Sequence, residues 1–152
     1  MKITDVQIIR FSVETEQYST KWGYGKIGSR RRVPNGLIKV ITDEGVNGFD
    51  TVYGWGSYYD PPSIDITENI IKPLLVGQDP RNIERLWQWM MAHRGFSENA
   101  VGSVDCALWD IMGKIANSPT YQILGGARDK VLAYASTYPN LGDPDVYAQH
   151  AK

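Results

Sequence analysis

Aromatic rings, glycines and cationic side chains are concentrated between residues 18 and 59 of this 152-residue chain. Eight of the 17 aromatic residues and eight of the 15 glycines lie there. Two segments of this region, about 14–36 and 50–62, are predicted to be loops. Because amphipathic rings on a flexible backbone suit contact with a ligand better than packing in a core, the composition predicts a binding surface on these two loops.

The first loop contains the run GYGKIG, residues 23–28, which matches the pattern G-x-G-x-x-G. A dinucleotide site needs an apolar strand before this pattern and a helix after it. Here the polar run YSTKW precedes it, and SRRRVPNG, which contains Pro34 and Gly36, follows it. A plain glycine-rich loop is therefore favoured over a nucleotide site.

Three consecutive arginines, residues 30–32, form a cationic cluster in the same loop. A solvated loop is the favoured interpretation, since runs of charge usually lie on the surface. The alternative is a carboxylate clamp, because a planar guanidinium binds a carboxylate through two parallel hydrogen bonds and Lys21 adds a second kind of cation.

The other reactive side chains are interpreted as structural or solvated residues. Asp105 could do acid–base chemistry if its pKa were raised, but a buried and hydrogen-bonded structural acid is favoured. Cys106 lacks the partners of a nucleophile and is predicted to be a small buried side chain, whereas Asp110 is predicted to be solvated on the opposite helix face. His93 and His150 lack metal-type partners at i+3 or i+4, so no metal site is assigned.

Strands come first among the elements that position the loops. Residues 3–13, 37–42 and 46–52 are rich in β-branched residues and predict a three-stranded antiparallel meander. Residues 63–75 predict a helix that Pro73 kinks or ends, because proline lacks the backbone N–H group.

Two amphipathic helices follow. Asp79 as the N-cap and Pro80 at the first helical position predict the start of one helix. Residues 98–116 predict the other, which ends at Asn117 and Pro119. The predicted apolar stripes are Ile83, Leu86, Trp87, Met90 and Met91 on the first helix, and Val101, Val104, Leu108, Ile111, Met112 and Ile115 on the second.

Composition excludes several classes of protein. Sixteen Lys and Arg residues balance 17 Asp and Glu residues, for a net charge of -1, so no strong field attracts nucleic acid or an anionic membrane. The single cysteine excludes an internal disulfide and a cysteine-based zinc cluster. No apolar run reaches the roughly 20 residues of a membrane span, and the first residues lack the apolar core of a signal peptide. A cytoplasmic globular chain is therefore expected.

One long segment carries a family resemblance. The run SVDCALWDIMGK, residues 103–114, continues through PTYQILGG, residues 119–126, to VLAYAS, residues 131–136. Together with the hairpin over residues 37–48 and the VGQDP step over residues 76–80, this order resembles the mandelate racemase/muconate lactonizing enzyme branch of the enolase superfamily.

The resemblance implies an α+β fold with a three-stranded antiparallel meander followed by a helical bundle. Residues 1–125 match the capping domain of that family, with the meander in 1–62 and the helices in 63–117. Residues 126–152 match the truncated start of a TIM-type β/α barrel. In that part, 131–137 would form the first strand and 144–152 the start of the first helix.

The resemblance also implies chemistry. Family members bind Mg²⁺ and abstract a proton α to a carboxylate, using a base and metal ligands on later barrel strands. Those strands are not in this sequence, so no catalytic or metal-ligating residue is assigned here. Two cap loops close over the barrel mouth in this family, and they correspond to about 14–32 and 50–62. The expected substrate contacts in them are Lys21, Trp22, Tyr24, Arg30, Tyr53 and Trp55.

These observations predict the specificity cap of a Mg²⁺-dependent dehydratase of acid sugars, because polar loops with rings, Lys and Arg suit a polyhydroxy carboxylate. A 2-hydroxy-acid racemase or a cycloisomerase of the same superfamily is the alternative reaction, and a non-enzymatic sugar-binding module is the alternative from another class. The expected partners are the barrel domain and further copies in a homo-oligomer. One barrel strand cannot close a barrel, so we expect this chain to be part of a longer protein and to be inactive alone.

Overall fold

A three-stranded sheet forms the first half of the fold. The computed structural model describes residues 1–16, 30–52, 61–93, 98–133 and 143–150. The strands β1 (Ile3–Glu16), β2 (Arg30–Thr42) and β3 (Gly48–Val52) form one sheet in the order β1–β2–β3. β2 and β3 are antiparallel, with Gly36 opposite Val52 and Val40 opposite Gly48. The predicted antiparallel meander is confirmed.

Helices make up the second half, so the fold is α+β as predicted. The helices are α1 (Pro61–Ile66), a π-helical turn (Thr67–Ile71), α2 (Lys72–Leu75), α3 (Ile83–Ala92), α4 (Glu98–Ala116), α5 (Thr120–Ile123) and α6 (Pro144–His150).

The first two strands are longer than predicted. β1 continues to Glu16 instead of ending at residue 13, and β2 begins at Arg30 instead of residue 37. The predicted β2 began late because Pro34 and Gly36 disfavour a central strand. Pro34, however, precedes Gly36, the first residue of β2 with a partner on β3, so its missing N–H group costs no hydrogen bond to β3.

Pro73 modifies its helix without ending it. The turn before it is π-helical, and the N–H group of Lys72 donates to the carbonyl of Thr67, five residues earlier. A proline cannot make the usual bond to the carbonyl four residues back, and its ring crowds that carbonyl. The wide turn over Thr67–Ile71 places the predicted irregularity just before the proline.

The predicted helix start at Asp79 and Pro80 is wrong. The helix begins at Ile83, and Asn82 is its N-cap residue. Asp79 instead accepts hydrogen bonds from the backbone N–H and the guanidinium of Arg81, at 2.9 Å each. These bonds close a turn, in which the N–H of Asn82 donates to the carbonyl of Asp79 at 3.2 Å. The same pairing with Arg81 lowers the pKa of Asp79 to about 2.

The helix over 98–116 has the predicted bounds. Four of its predicted stripe residues are buried, Met112 is partly buried and Ile115 is exposed. On α3 the stripe is narrower than predicted, because Trp87 and Met91 are exposed. Asn117, the residue after the end of α4, has a positive φ of 47°, and Gly125 and Gly126 have positive φ values of 108° and 56°.

Backbone contact between β3 and α4 determines how the sheet sits on the helices. A Cβ atom on Gly48 would overlap the carbonyl oxygen of Ala107 and would lie 2.8 Å from the side chain of Ile111. Asp110 accepts a hydrogen bond from the N–H of Phe49 at 2.9 Å and pairs with Lys114 at 2.6 Å. The prediction of a solvated Asp110 is correct only in part: its side chain is 35% exposed but also bonds β3, since it lies one turn after Ala107.

The chain divides into two compact units, residues 1–11 with 34–127 and residues 12–33 with 128–152. The first unit contains the apolar core between sheet and helices. In the second unit, residues 131–133 lie outside any helix or strand, and α6 begins at Pro144 as predicted. The remainder of the predicted barrel strand lies outside the described residues, so that strand and the domain boundary near residue 125 stay predictions.

The buried apolar residues are Ile3, Val6, Ile38, Val40, Val52, Ile71, Leu75, Ile83, Leu86, Met90, Ala100, Val101, Val104, Ala107, Leu108 and Ile111.

Among the described residues, no helix has the length and apolar character that crossing a bilayer requires.

The close approach at Gly48 predicts the effect of a single methyl group. We expect Gly48→Ala to lower the free energy of unfolding by about 1–3 kcal/mol, because the added Cβ must push β3 away from the α4 backbone. Gly102→Ala is the matched control: it adds the same methyl to α4, where no atom lies within 4 Å, and should stabilise by about 0.5–1 kcal/mol. Urea unfolding measures both, and equal stability of the two variants would contradict the packing argument.

Candidate functional site

The three strands are packed tightly at the point where the predicted binding loops begin. Gly36 of β2 is buried, and a Cβ atom there would lie 3.0 Å from Val52 of β3 and 3.4 Å from Ile8 of β1. Because Gly36 has no side chain, the branched side chains of Val52 and Ile8 can pack over its backbone. Since Val52 is the last residue of β3, this contact fixes the point from which the second loop leaves the sheet.

The second predicted loop follows a strand that is held against α4. β3, which precedes it, is bonded to α4 through Phe49 and Asp110. On the same side of the contact, the ammonium of Lys114 donates to the carbonyl of Asn47 at 2.7 Å and lies 4.7 Å from the centre of the Phe49 ring. Pro61 is the first residue of α1, where proline needs no N–H partner.

Arg30 is the one predicted substrate contact that the structure describes, and it is the first residue of β2, with an exposed side chain. Arg32 is exposed as well, and alternation along a strand places the two guanidinium groups on the same face. Both guanidiniums are thus presented to solvent by a strand. The other five predicted contacts, Lys21, Trp22, Tyr24, Tyr53 and Trp55, lie outside the described residues, as does the GYGKIG run.

Asp105 is half-buried and accepts a hydrogen bond from the side chain of Trp109, one helical turn later. Burial raises the pKa of the Asp105 carboxyl above its ordinary value, and the negative charge of Glu84 on α3 raises it further. The prediction that Asp105 is hydrogen-bonded is confirmed, but the partner is the Trp109 side chain instead of an arginine or a backbone N–H group, and the carboxyl is only partly buried. Because Glu84 lies on α3 and acts on Asp105 of α4, we assign Asp105 to the packing of α3 against α4.

The prediction of a buried Cys106 is wrong, because its side chain is exposed. Position 106 lies about 200° around the helix from both Val104 and Leu108, which are buried, and so points away from the core. Partial burial, followed by the charges of Asp50 and Asp105, raises the pKa of the thiol, which disfavours the reactive thiolate.

Magnesium has no candidate site in the described part of the chain, where no group of three His, Cys, Asp or Glu residues could hold a metal ion. His93 is the C-cap residue of α3, and its Nδ1 atom lies 2.7 Å from the carbonyl oxygen of Trp89. The described residues therefore do not fit the ion that the resemblance implies, and no reaction step is derived through it.

Comparison with known proteins gives the family. A sequence model of the mandelate racemase/muconate lactonizing enzyme N-terminal domain matches residues 11–125. A D-galactonate dehydratase family member from Paenibacillus sp. strain JDR-2 is 41% identical over 120 residues, which are 72% of this chain and 27% of the relative. The chain belongs to the mandelate racemase/muconate lactonizing enzyme family.

Solved structures agree with this membership. D-glucarate dehydratase from Agrobacterium tumefaciens, complexed with magnesium, is 34% identical and has a TM-score of 0.70 over 88% of this chain and 35% of its own. A member of the enolase superfamily from Polaromonas sp. JS666 is 26% identical and has a TM-score of 0.80 over 98% of this chain and 40% of its own. The α+β fold expected of an enolase-superfamily cap is confirmed, and the chain spans about a quarter to two-fifths of the length of these proteins.

The residues that position the loops of this family member were not found from the sequence. Gly36 and Gly48 act through contacts with residues far along the chain, which no local pattern reveals. Asp110 lies in the family-like segment SVDCALWD and could have been found there, since an acid at this point can bond the backbone of a neighbouring strand.

The raised pKa of Asp105 predicts a pH-dependent substitution effect. A carboxyl whose folded-state pKa lies above its unfolded value destabilises the fold when ionised, and this penalty disappears as the pH falls through the folded-state pKa. We therefore expect Asp105→Asn to raise the unfolding midpoint at pH 7 and to lose this advantage toward pH 3. Asp110→Asn is the control on the same helix and should destabilise at pH 7, because it breaks the pair with Lys114. An Asp105→Asn variant as unstable as the control at pH 7 would contradict the assignment.

Proposed function

We propose that this chain is the specificity cap of an enzyme that dehydrates acid sugars. Membership of the mandelate racemase/muconate lactonizing enzyme family carries the proposal, together with the two relatives whose names contain D-galactonate dehydratase and D-glucarate dehydratase. Both names specify a polyhydroxy carboxylate. Lys, Arg and aromatic residues in the two loops suit that chemistry, because the cations bind carboxylate and the rings stack on the apolar face of a sugar.

The proposed reaction removes water from two neighbouring carbons. A base takes the proton from the carbon α to the carboxylate, the hydroxyl on the β carbon leaves as water, and the resulting enol becomes a 2-oxo-3-deoxy acid. The base and the magnesium ligands belong to the barrel strands of this proposal, which are not in this sequence. The magnesium in the D-glucarate dehydratase structure supports a metal-dependent whole protein.

The cap contributes recognition and exclusion of water. Arg30 stands at the first residue of β2 with its guanidinium in solvent, where it can bind a carboxylate or hydroxyl that reaches the cap. β3 is held to α4 by the contacts of Gly48 and Asp110, which fix the strand that leads into the second loop. The proposal includes a cytoplasmic location and a homo-oligomer, in accordance with the composition and the family resemblance.

Two measurements test this function against a self-sufficient sugar-binding module. Calorimetric titration of the 152-residue chain with D-galactonate and D-glucarate should show no binding at millimolar concentration. A polypeptide that continues into the barrel should form a 2-oxo-3-deoxy acid from at least one acid sugar, and only when Mg²⁺ is present. Binding by the short chain, without turnover by the longer one, would favour the module.

Arg30 offers a more local test in the longer polypeptide. Arg30→Ala should lower kcat/KM for the acid sugar by roughly 10- to 100-fold, which is the effect of losing a hydrogen bond to a charged group. Arg30→Lys should recover only part of the loss, since an ammonium cannot make the paired bonds of a guanidinium. Arg81→Ala is the control, because Arg81 is exposed and paired with Asp79 in a turn outside the predicted loops. Unchanged kinetics in Arg30→Ala would exclude this residue as a substrate contact.

A further inference from the structure

An open cleft lies where α4 ends and the chain turns into α5. Its volume of about 360 Å³ falls within the roughly 300–1,000 Å³ of small-molecule sites in proteins. The lining consists of Asp110, Gly113 and Lys114 on α4, followed by residues 117–120. All of these residues belong to the first compact unit, and none lies in the two predicted loops.

Gly113 lets the two sides of the cleft approach each other. A Cβ atom on Gly113 would lie 3.1 Å from the carbonyl oxygen of Ser118 and 3.1 Å from the hydroxyl oxygen of Thr120. The N–H group of Ser118 donates to the carbonyl of Gly113 at 3.0 Å. Because these contacts involve the backbone, they fix the position of the two sides relative to each other.

Charged and amide groups of the cleft have unused hydrogen-bonding capacity. The ammonium of Lys114 donates to Asp110 at 2.6 Å and to the carbonyl of Asn47 at 2.7 Å, which leaves the third of its N–H groups for a ligand. The bonds that Asp110 accepts from described residues both go to Oδ2, so Oδ1 remains an acceptor. Asn117 is exposed, and its side-chain amide has no hydrogen-bond partner among the described residues.

Two hydroxyl groups add further acceptors. Ser118 donates its hydroxyl hydrogen to the side chain of Gln122 at 3.0 Å, and Thr120 donates to the carbonyl of Trp109 at 3.5 Å. A hydroxyl oxygen has two lone pairs, so both oxygens can still accept a hydrogen bond from a ligand. The cleft therefore presents donors and acceptors side by side, which is what a ligand hydroxyl requires, since it both donates and accepts.

The side chains of the lining exclude other classes of ligand. Among the described lining residues, Pro119 has the only purely apolar side chain, so an apolar ligand gains little contact. Asp110 and Lys114 compensate each other's charge, so the cleft has no net charge that would select an anion or a cation. A neutral ligand with several hydroxyl groups is the class that fits.

We propose that this cleft binds a neutral sugar, whose hydroxyl groups bond to Asn117, to Thr120 and to the Asp110–Lys114 pair. The two predicted loops take no part, so this inference is independent of the proposed reaction. Asn117 also has a conformational role, because its φ of 47° is one that asparagine and glycine adopt readily after a helix. A test must therefore separate that role from binding.

The variant Asn117→Gly makes this separation, because glycine adopts the same φ and lacks the amide. In an NMR titration of the isotope-labelled 152-residue chain with D-galactose, the amide signals of residues 113–120 should shift and saturate at tens of millimolar sugar. Asn117→Gly should weaken binding roughly three- to tenfold, which is the effect of losing one hydrogen bond between neutral groups. Gln88→Ala is the matched control, because it removes an exposed amide from α3, and it should bind normally. Shifts that do not saturate, or equal binding by Asn117→Gly, would overturn the proposal.

A second variant and a second ligand test the chemistry of the site. Thr120→Val replaces the hydroxyl by a methyl group of similar size and should weaken binding of D-galactose by a similar factor. D-galactonate has hydroxyl groups and a carboxylate, and it should bind at least tenfold more weakly than D-galactose, because its charge is repelled by the free oxygen of Asp110. Unchanged binding by Thr120→Val would exclude this cleft as the site, and equal binding of D-galactonate would overturn its assignment to a neutral ligand.

Discussion

The close contact between the backbone of β3 and the backbone of α4 determines much of the rest of this fold. Gly48 lies so near the carbonyl of Ala107 that no side chain fits between the two elements. A sheet and a helix usually keep the width of two side-chain layers between them, so this approach lets polar backbone groups of β3, and of the residue just before it, reach side chains of the helix. The N–H of Phe49 and the carbonyl of Asn47 are the groups that α4 satisfies, through Asp110 and Lys114.

This contact explains why parts of the family-like segment SVDCALWDIMGK have the residues they have. A larger residue at Ala107 would separate strand and helix, and an apolar residue at Asp110 would leave the N–H group of Phe49 without its acceptor. Asp105 and Cys106, the two residues of this segment with the most reactive side chains, have other surroundings: one faces α3 and the other is exposed. In this segment, a reactive type of side chain is therefore a poor guide to function.

Local sequence patterns correctly predicted those helices and strands whose pattern agrees with their packing in the fold. The helix over 98–116 combines apolar periodicity with stop signals at Asn117 and Pro119, and its bounds were predicted correctly. The signal for a helix start at Asp79 and Pro80 was strong but local. The Asp79 carboxylate accepts hydrogen bonds from Arg81 within a turn, so it does not cap the helix. The extra length of β2 depends on pairing with other strands and could not be seen in residues 30–36, where proline and glycine disfavour a strand.

Local sequence patterns are limited in the same way at the candidate site. Composition singled out two segments, but the contacts of the strands beside these segments are between residues distant in sequence. Gly36 touches Val52 and Ile8, which lie 16 and 28 positions away from it along the chain. Because these contacts are in the interior, the sheet can hold the loop ends in place whatever residues the loops themselves contain. Residues outside this interior can therefore change without altering the contacts of Gly36 with Val52 and Ile8.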